Sequence, residues 1–277
     1  MTNISFEFFP PKSYLGFLRL MVSQKKLSSL RPRFVSITSG NCNFKEHFDV
    51  VIGSNKFFRD VAPHLLCSTE GYKMLDTLGS FLRAPTAHLM ILRGDISPPD
   101  VTIKQPVSKM VEMIRAGWGG TFLIDVSNYP DPHPQSLSER SDNTIFSSKI
   151  IGGADSSVTQ YSYNLNSFLN KILELWELGI RIPITAGVLT TNNSKQLKRM
   201  AKVCGSEIPL WFVRRAEDLE ANNKPTSHLF TETTIQLCEV LKDCGIQDLH
   251  FYTLNDHRPV TKICHSIGFG PTPNLIQ

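Results

Sequence analysis

A single carboxylate interrupts an apolar stretch close to the start of the chain. Glu7 lies between Phe6 and Phe8, in a run of strand length that ends at Pro10 and Pro11. An unpaired charge inside a buried strand costs free energy, so such a carboxyl either shifts its pKa or finds a partner. A carboxyl that stays protonated near neutral pH can act as a general acid. Glu7 is therefore the first catalytic candidate. The alternative is a structural glutamate at the mouth of a barrel, either solvated or paired with an arginine.

Polar residues also end the other apolar runs of the chain. We read eight strands, at residues 4–9, 34–38, 62–66, 88–92, 121–126, 157–160, 182–186 and 249–253. Taken singly, these polar ends have structural explanations: His64 suits a satisfied core histidine, and Arg93 with Asp95 suits a local turn pair. Together they would converge on one rim, which indicates a binding site there. The polar residues at the strand ends are Glu7, 38–40, 63–64, 93–95, 129–133, 159–160, Gly187 and 252–255.

Amphipathic segments separate these strands and predict helices. Strands that alternate with helices and read as near-continuous apolar runs indicate a parallel sheet covered on both faces. Eight such units predict an α/β fold, the closed (β/α)8 TIM barrel, as one domain over residues 1–277. Residues 195–241 are too long for one crossover and predict two or three helices between the last two strands, so that extra helices precede the last strand. An open, doubly wound sheet is the alternative, but its GxGxxG fingerprint is absent.

Composition narrows the classes of partner and compartment. The chain is 41% hydrophobic and 19% charged, with a net charge of +4 and no block of Lys and Arg. We therefore expect a small acidic substrate rather than nucleic acid. No apolar run reaches membrane-spanning length, and we expect no signal peptide. The six cysteines form no CxxC pair, which favours buried thiols in a reducing cytoplasm over a metal site or a disulfide framework.

Seven motifs at the strand ends resemble the methylenetetrahydrofolate reductase family in its short bacterial form, the catalytic barrel alone. In chain order they are FEFFPP (6–11), FVSIT (34–38), APHLLC (62–67), LRGD (92–95), YPDPHP (129–134), GADSSVTQ (153–160) and HFYTLN (250–255). The resemblance implies a (β/α)8 barrel that binds FAD. In the family, NADH or NADPH reduces the flavin, and the flavin reduces 5,10-methylenetetrahydrofolate to 5-methyltetrahydrofolate for methionine synthesis.

The resemblance also assigns catalytic and substrate-binding residues. Glu7 matches the general acid, and we expect Phe6, Phe8 and Phe9 to enclose it and raise its pKa. Asp95 matches a carboxylate close to the flavin and the pterin. Gln160 matches an amide that contacts the pterin edge. The arginine usual after FYTLN is replaced by Asp256, so Arg258 is the candidate for that substrate contact.

The cofactor-binding positions of the family are only partly retained in this sequence. The family usually has a tyrosine before the helix that follows LRGD, and about Pro106 stands at that position here. In the helix after YPDPHP, the family usually has an asparagine and an arginine that help to hold the cofactor, and Ile145 and Ser148 stand there in this chain. Asn143 and Lys149 are candidates to substitute for them. The positions that match flavin contacts of the family are Thr38, His64, Arg93, Gly94, Asp95, Tyr129, His133, Asp142 and Lys149.

Three other functions stay open at this point. One is a reductase that passes hydride directly from the nicotinamide to folate without flavin. Another is a folate-binding or methyl-transfer partner that has lost reductase activity, and a third is an unrelated function on the same barrel. Exposed apolar residues such as Trp211 and Phe212 would suit an interface between copies of the chain in a homo-oligomer.

Overall fold

The computed structural model describes residues 2–39, 42–67, 71–82, 86–94, 106–133, 136 and 138–270. Eight strands run through these residues: β1 Asn3–Phe8, β2 Val35–Ile37, β3 Val61–Leu66, β4 His88–Leu92, β5 Leu123–Asn128, β6 Ser156–Thr159, β7 Ile184–Leu189 and β8 Asp248–Tyr252. The helices are α1 Tyr14–Leu27, α2 Phe44–Ser54, α3 Gly71–Leu82, α4 Val107–Trp118, α5 Glu139–Ile151, α6 Leu165–Glu177, α7 Ser194–Cys204, α8 Leu210–Ala221, α9 Ser227–Asp243 and α10 His257–Ser266.

The strands form a closed parallel barrel in which each strand pairs with its neighbours in chain order. The ring closes where β8 pairs with β1, and Glu7 lies in register with Tyr252 there. The predicted (β/α)8 TIM barrel is confirmed, as are the extra helices before the last strand, which are α7, α8 and α9.

Because side chains alternate along each strand, the apolar ones form two separate cores, one between the strands and the helices and one inside the barrel. Phe6 and Phe8 are fully buried in the large layer between strands and helices. Since neighbouring residues of a strand point to opposite faces, Ser5 and Glu7 point into the barrel. A second, smaller apolar cluster lies inside the barrel and consists of Phe34, Ala62, Met90 and Val158. This inner cluster supports the polar residues at the mouth.

Two strands begin two residues later than the sequence predicts. β5 was expected from residue 121, but the Thr121 hydroxyl and backbone N–H both donate to the Trp118 carbonyl and extend the turn after α4. β7 was expected from residue 182, and it begins at Ile184, one residue after Pro183. Neither difference changes which side chains face inward, because alternation along a strand does not depend on the residue at which the pairing begins.

A buried polar layer fills the barrel near the amino ends of the strands. The His88 ring contacts two carboxylates, with Nδ1 3.1 Å from Asp60 and Nε2 2.8 Å from Asp125. Burial opposes the charged form of His88, but the two carboxylates outweigh it and raise its pKa to about 9. His250 lies in the same layer, with its Nδ1 2.7 Å from the Ser5 hydroxyl. These packed groups leave the carboxyl ends of the strands as the face open to a ligand.

Helices α7, α8 and α9 pack around a separate core beside the barrel. Leu197, Phe212 and Phe230 meet there with Tyr161 from the loop after β6. The expectation that Phe212 is exposed is wrong, because its side chain is fully buried in this cluster, whereas Trp211 is 57% exposed. In the described ranges, no helix combines the length and the apolar character needed to cross a bilayer.

Candidate active site

A cavity of about 400 Å³ opens at the carboxyl ends of the strands. This volume lies within the range of roughly 300–1,000 Å³ that is typical of small-molecule sites. The predicted site residues that line it are Glu7, Thr38, His64, Arg93, Gly94, Tyr129, His133 and Gln160. Residues that come from six different strands of the chain therefore meet around one cavity.

Glu7 reaches this cavity because the alternation of β1 turns it away from its aromatic neighbours. Phe6 and Phe8 pack outward against Phe251 and Phe58, and Phe9 is 40% exposed. The expectation that these three rings enclose Glu7 is therefore wrong. Burial in the barrel mouth nevertheless raises the pKa of Glu7 to about 8. The carboxyl consequently keeps its proton at neutral pH.

The His64 side chain lies beside Glu7. Its Nε2 lies 3.5 Å from Glu7 Oε2, and its side chain is 5% exposed. Burial lowers the pKa of His64 well below its ordinary value, and the neighbouring His47 and His250 lower it further. The imidazole is therefore neutral and cannot hold Glu7 in its ionised form. Within the described residues, His64 Nε2 has no hydrogen-bond partner.

Tyr252 forms the wall of the cavity beside Glu7. Its hydroxyl donates to the Thr159 carbonyl at 2.7 Å, which spans β7 and fixes the ring across the mouth. The ring fits there because residue 187 is a glycine: a Cβ at that position would lie 2.1 Å from the Thr159 oxygen and 2.8 Å from Tyr252 Cε2. Gly187 therefore provides the space for Tyr252 without lining the cavity itself.

Replacing Gly187 by alanine is expected to push Tyr252 and the end of β6 out of place. Overpacked interiors usually lose about 1–3 kcal/mol of stability, and a contact with backbone places this variant at the upper end. Chemical denaturation measures the loss. Gly53→Ala is the matched control, because a Cβ there meets nothing within 4 Å. Equal stability of the two variants would contradict the proposed fit of Tyr252 against Gly187.

Two further groups at the mouth present polar atoms in fixed orientations. The backbone N–H of Tyr161 donates to Gln160 Oε1 at 3.0 Å, which orients the amide and leaves its N–H groups for a ligand. Arg93 Nη2 lies 3.1 Å from His133 Nε2. Burial lowers the pKa of His133, and Arg93 lowers it further, so the ring is a neutral acceptor for the guanidinium. The Tyr129 ring meets His133 edge to face at 4.7 Å.

A second cavity of about 360 Å³ adjoins the first across Arg93, Tyr129 and His133. Two of the residues proposed for the cofactor, Asp142 and Lys149, line it. The Lys149 ammonium donates to the Ser127 carbonyl at 2.7 Å. Burial lowers the pKa of Lys149 to about 8, although Asp142 opposes the shift. Three of the divergent positions also line this cavity, namely Pro106, Ile145 and Ser148.

Asn143 cannot substitute for a missing cofactor contact. Its Oδ1 accepts from the Lys171 ammonium at 2.7 Å, and its Nδ2 donates to Glu174 at 2.7 Å. The side chain is buried between α5 and α6 and lines neither cavity. That expectation from the sequence is wrong, because the helix face that carries Asn143 packs against α6.

Arg258 lies apart from the other candidates. It borders a groove of about 1060 Å³ formed by the loops after β1, β7 and β8, together with α1. Its guanidinium is exposed and pairs with Asp256, with Nη2 2.7 Å from Oδ2. Asp95 falls outside the described residues, so its assigned role stays a prediction.

The sequence analysis missed several residues that line the first cavity. Leu66, Leu92 and Ser127 face inward, and strict alternation along β3, β4 and β5 would have identified them. Met200 and Cys204 come from α7, which folds over the rim, and no local signal in the sequence indicates that position. Among the described residues, no group of three or more His, Cys, Asp or Glu side chains could hold a metal ion.

Known proteins resemble this chain over nearly its whole length. A family model described as methylenetetrahydrofolate reductase matches residues 1–268. The 5,10-methylenetetrahydrofolate reductase of Escherichia coli is 30% identical over 273 residues, which cover 97% of this chain and 92% of that protein. Methylenetetrahydrofolate reductase (NADH) 1 of Arabidopsis thaliana is 29% identical, and the match covers 96% of this chain but 48% of the plant protein.

Solved structures share the fold at low sequence identity. An uncharacterized protein from Clostridium thermocellum that binds two copies of 5-methyl-5,6,7,8-tetrahydrofolic acid has a TM-score of 0.64 at 15% identity, covering 96% of this chain and 94% of that chain. An oxaloacetate acetylhydrolase has a TM-score of 0.58 at 10% identity, covering 100% of this chain and 85% of that one. Such identities show the fold alone. The family match over nearly the whole chain, with the bacterial relative at 30% identity, shows that this chain belongs to the methylenetetrahydrofolate reductase family.

Proposed function

We propose that this protein reduces 5,10-methylenetetrahydrofolate to 5-methyltetrahydrofolate, with FAD as cofactor and NADH or NADPH as hydride donor, and so supplies methyl groups for methionine synthesis. Family membership supports an oxidoreductase that acts on methylenetetrahydrofolate. The main support for the proposal is that the Glu7 carboxyl lies in the barrel mouth and has a pKa raised to about 8. The C. thermocellum structure adds that a barrel of this kind accommodates a reduced folate.

The reaction needs a proton at a defined place. The five-membered ring of methylenetetrahydrofolate must open to an iminium before hydride can reach the exocyclic carbon. Opening breaks a carbon–nitrogen bond, so the departing nitrogen has to receive a proton. Glu7 holds that proton at neutral pH, because desolvation disfavours its ionised form. As the proton leaves, the carboxylate that forms stabilises the cationic iminium beside it.

The two adjoining cavities suit a flavin dinucleotide. His64 Nε2 is a buried polar atom with no partner among the described residues, and a ligand in the first cavity would satisfy it. Gly94 has φ +87 and places backbone at the cavity edge, in a conformation that side chains rarely adopt. The buried ammonium of Lys149 suits a phosphate or a polar flavin atom. Bound FAD, once reduced by the nicotinamide, would supply hydride to the exocyclic carbon of the folate.

The residues that line each cavity indicate which part of the ligands it would hold. In the first cavity, Thr38, His64 and Gln160 would orient flat polar rings at the barrel mouth. In the second, Asp142 would hold a ribityl or ribose hydroxyl, while Arg93 and Lys149 bring positive charge. Pro106, Ile145 and Ser148 contribute apolar or small contacts where the family usually has polar side chains. Two substrate assignments also remain part of the proposal: Asp95, which falls outside the described residues, and Arg258, which borders the separate groove.

We extend the proposal to the domain organisation, the oligomeric state and the cellular compartment of the protein. The six cysteines, all among the described residues, form no disulfide there. We propose a cytoplasmic location. One domain over residues 1–277 and assembly into a homo-oligomer also remain proposals. The exposed apolar residues Leu210 and Trp211 on α8 suit such an interface.

One absorbance experiment tests the proposed function. Purified protein is mixed with FAD, freed of excess cofactor and scanned. A retained flavin band that NADH or NADPH bleaches and methylenetetrahydrofolate restores is the expected result. A colourless protein that still oxidises the nicotinamide in the presence of folate would replace the proposal with direct hydride transfer. A colourless and inactive protein that binds folate would replace it with the non-reducing function.

Replacing Lys149 by methionine is expected to weaken FAD binding by about ten- to a hundredfold. Hydrogen bonds to charged groups contribute roughly 1.5–3 kcal/mol, and each 1.4 kcal/mol is a factor of ten in affinity. Fluorescence titration of the apoprotein measures the change. Lys195→Met, at an exposed position of α7, is the control and should bind FAD normally. An unchanged affinity in Lys149→Met would assign the charged contact to Arg93 instead.

A further inference from the structure

The four residues at the end of β8 make an unusual set of contacts with the strand that carries Glu7. We call residues 252–255 the β8 strap. The Thr253 hydroxyl donates to the Glu7 carbonyl at 2.6 Å. The Asn255 amide bonds both polar groups of one residue: Nδ2 donates to the Phe9 carbonyl at 2.8 Å, and Oδ1 accepts from the Phe9 N–H at 3.1 Å. This side chain thus continues the β1–β8 pairing beyond the end of the sheet.

The chain needs such a contact because β1 cannot continue by itself. Pro10 and Pro11 follow Phe9 and have no N–H to donate. On the other side of β1, the N–H of Thr38 donates to the Phe8 carbonyl at 2.9 Å. The backbone around Glu7 is therefore held from β2 at Phe8 and from the β8 strap at Glu7 and Phe9.

Backbone strain marks the same segment. Leu254 has φ +51 and Asn255 has φ +56, so two consecutive residues with side chains occupy the left-handed region. This conformation costs free energy, and it persists where surrounding contacts determine it. Here the Ser23 hydroxyl donates to the Asn255 carbonyl at 2.8 Å and ties the strap to α1. Asn255 is 8% exposed. Strained backbone tends to occur where a site must be held in one geometry.

We propose that Asn255 is a positioning residue that holds the β1 end so that the Glu7 carboxyl stays beside Tyr252 and His64 inside the cavity. This inference rests on the proposed function, in which Glu7 is the acid. It predicts that releasing Phe9 lets Glu7 move toward solvent, so the carboxyl loses both its orientation and its desolvation.

Several titratable groups surround Glu7 and must be considered in a pH experiment. His64 from β3 lies 3.5 Å from Glu7, and Tyr252 flanks Glu7 from β8. Asp95 falls outside the described residues. The other titratable and charged side chains that line the cavity are Arg93, Tyr129, His133 and Cys204. Comparison of each variant with its own Glu7→Gln derivative isolates the contribution of Glu7 from all of these groups.

Asn255→Gly is the main test variant, because glycine adopts the left-handed conformation without strain and removes only the amide. Asn255→Asp is the second variant: it keeps the acceptor for the Phe9 N–H and loses the donor to the Phe9 carbonyl. The matched control is Asn223→Gly. Asn223 is exposed and has φ +53, but it lies in the loop between α8 and α9.

The first readout uses ligand-free protein. The unfolding free energy is measured from pH 5 to pH 9 for Asn255→Gly and for Asn255→Gly with Glu7→Gln. The difference between each protein and its Glu7→Gln derivative gives the contribution of Glu7 to the unfolding free energy at each pH. In Asn255→Gly, we expect the pH midpoint of this contribution to lie about one pH unit or more below that of wild type. A stability loss that is the same at every pH, with an unchanged midpoint, would overturn the proposal and leave Asn255 a structural residue.

The second readout uses the FAD-loaded protein. We expect the rate of folate reduction to fall about ten- to a hundredfold, since small misplacements of a catalytic group have effects of this size. The pH profile of this step should shift downward, while flavin reduction by the nicotinamide stays within about twofold of wild type. Equal losses in both half-reactions would overturn the proposal. If the protein reduces no folate, the proposed function fails, but the ligand-free measurement still decides the role of Asn255.

Discussion

Glu7→Gln is expected to slow the reduction of methylenetetrahydrofolate by about 10²- to 10⁴-fold, the usual contribution of a general acid. Glutamine keeps the size and the hydrogen-bonding capacity of the side chain but has no acidic proton. The flavin band should still bleach at the normal rate with NADH or NADPH, because that step uses no proton from Glu7. Stopped-flow measurement of the two half-reactions separates these effects.

The control for this experiment is the same exchange at an exposed carboxylate. Glu112 pairs with Lys109 on the surface of α4, and its side chain is 48% exposed. Glu112→Gln should leave both half-reactions unchanged. Normal folate reduction in Glu7→Gln would remove Glu7 as the acid, whereas loss of both half-reactions would indicate a disturbed flavin site.

Glu7→Gln is also expected to stabilise the ligand-free protein at alkaline pH. Burial raises the pKa of Glu7 from its ordinary value of 4.5 to about 8. The folded state therefore binds this proton more tightly than the unfolded chain does. The stabilisation that results is complete below pH 4.5 and is lost as the pH rises through about 8. Glutamine does not ionise, so the variant avoids this loss.

The difference in unfolding free energy between variant and wild type should grow between these pH values, by on the order of 4 kcal/mol at most. Denaturant titrations at pH 5, 7 and 9 measure it. Glu112→Gln serves again as the control, since its difference from wild type should stay constant with pH. A constant difference for Glu7→Gln would mean that the folded protein does not desolvate this carboxyl.

The same property connects the two expected results. A carboxyl that is costly to ionise is a source of instability in the empty protein and a source of protons during the reaction. Stability and activity are thus opposed at Glu7, as at many active sites. Neither Tyr252 nor neutral His64 offers the positive charge that would remove this opposition.

The sequence alone predicted the architecture and most of the candidate site. Alternating apolar runs and amphipathic segments determine a parallel barrel, because the hydrophobic period depends on near neighbours in the chain. The carboxyl ends of all strands meet at one rim in that fold, so polar residues at strand ends could be assigned to a common site. Glu7, His64 and Gln160 were found in this way, and the structure brings them to one cavity.

Only the tertiary structure decided what surrounds those residues. The walls of the Glu7 site are Tyr252 from β8 and His64 from β3, two residues that lie far from Glu7 in the sequence. Asn143 turns toward α6, Arg258 borders a different groove, and α7 brings Met200 and Cys204 over the rim. These outcomes depend on the stagger of neighbouring strands and on helix packing between segments distant in sequence. Near-neighbour patterns determine which face of an element is buried, whereas contacts between distant segments determine which side chains meet there.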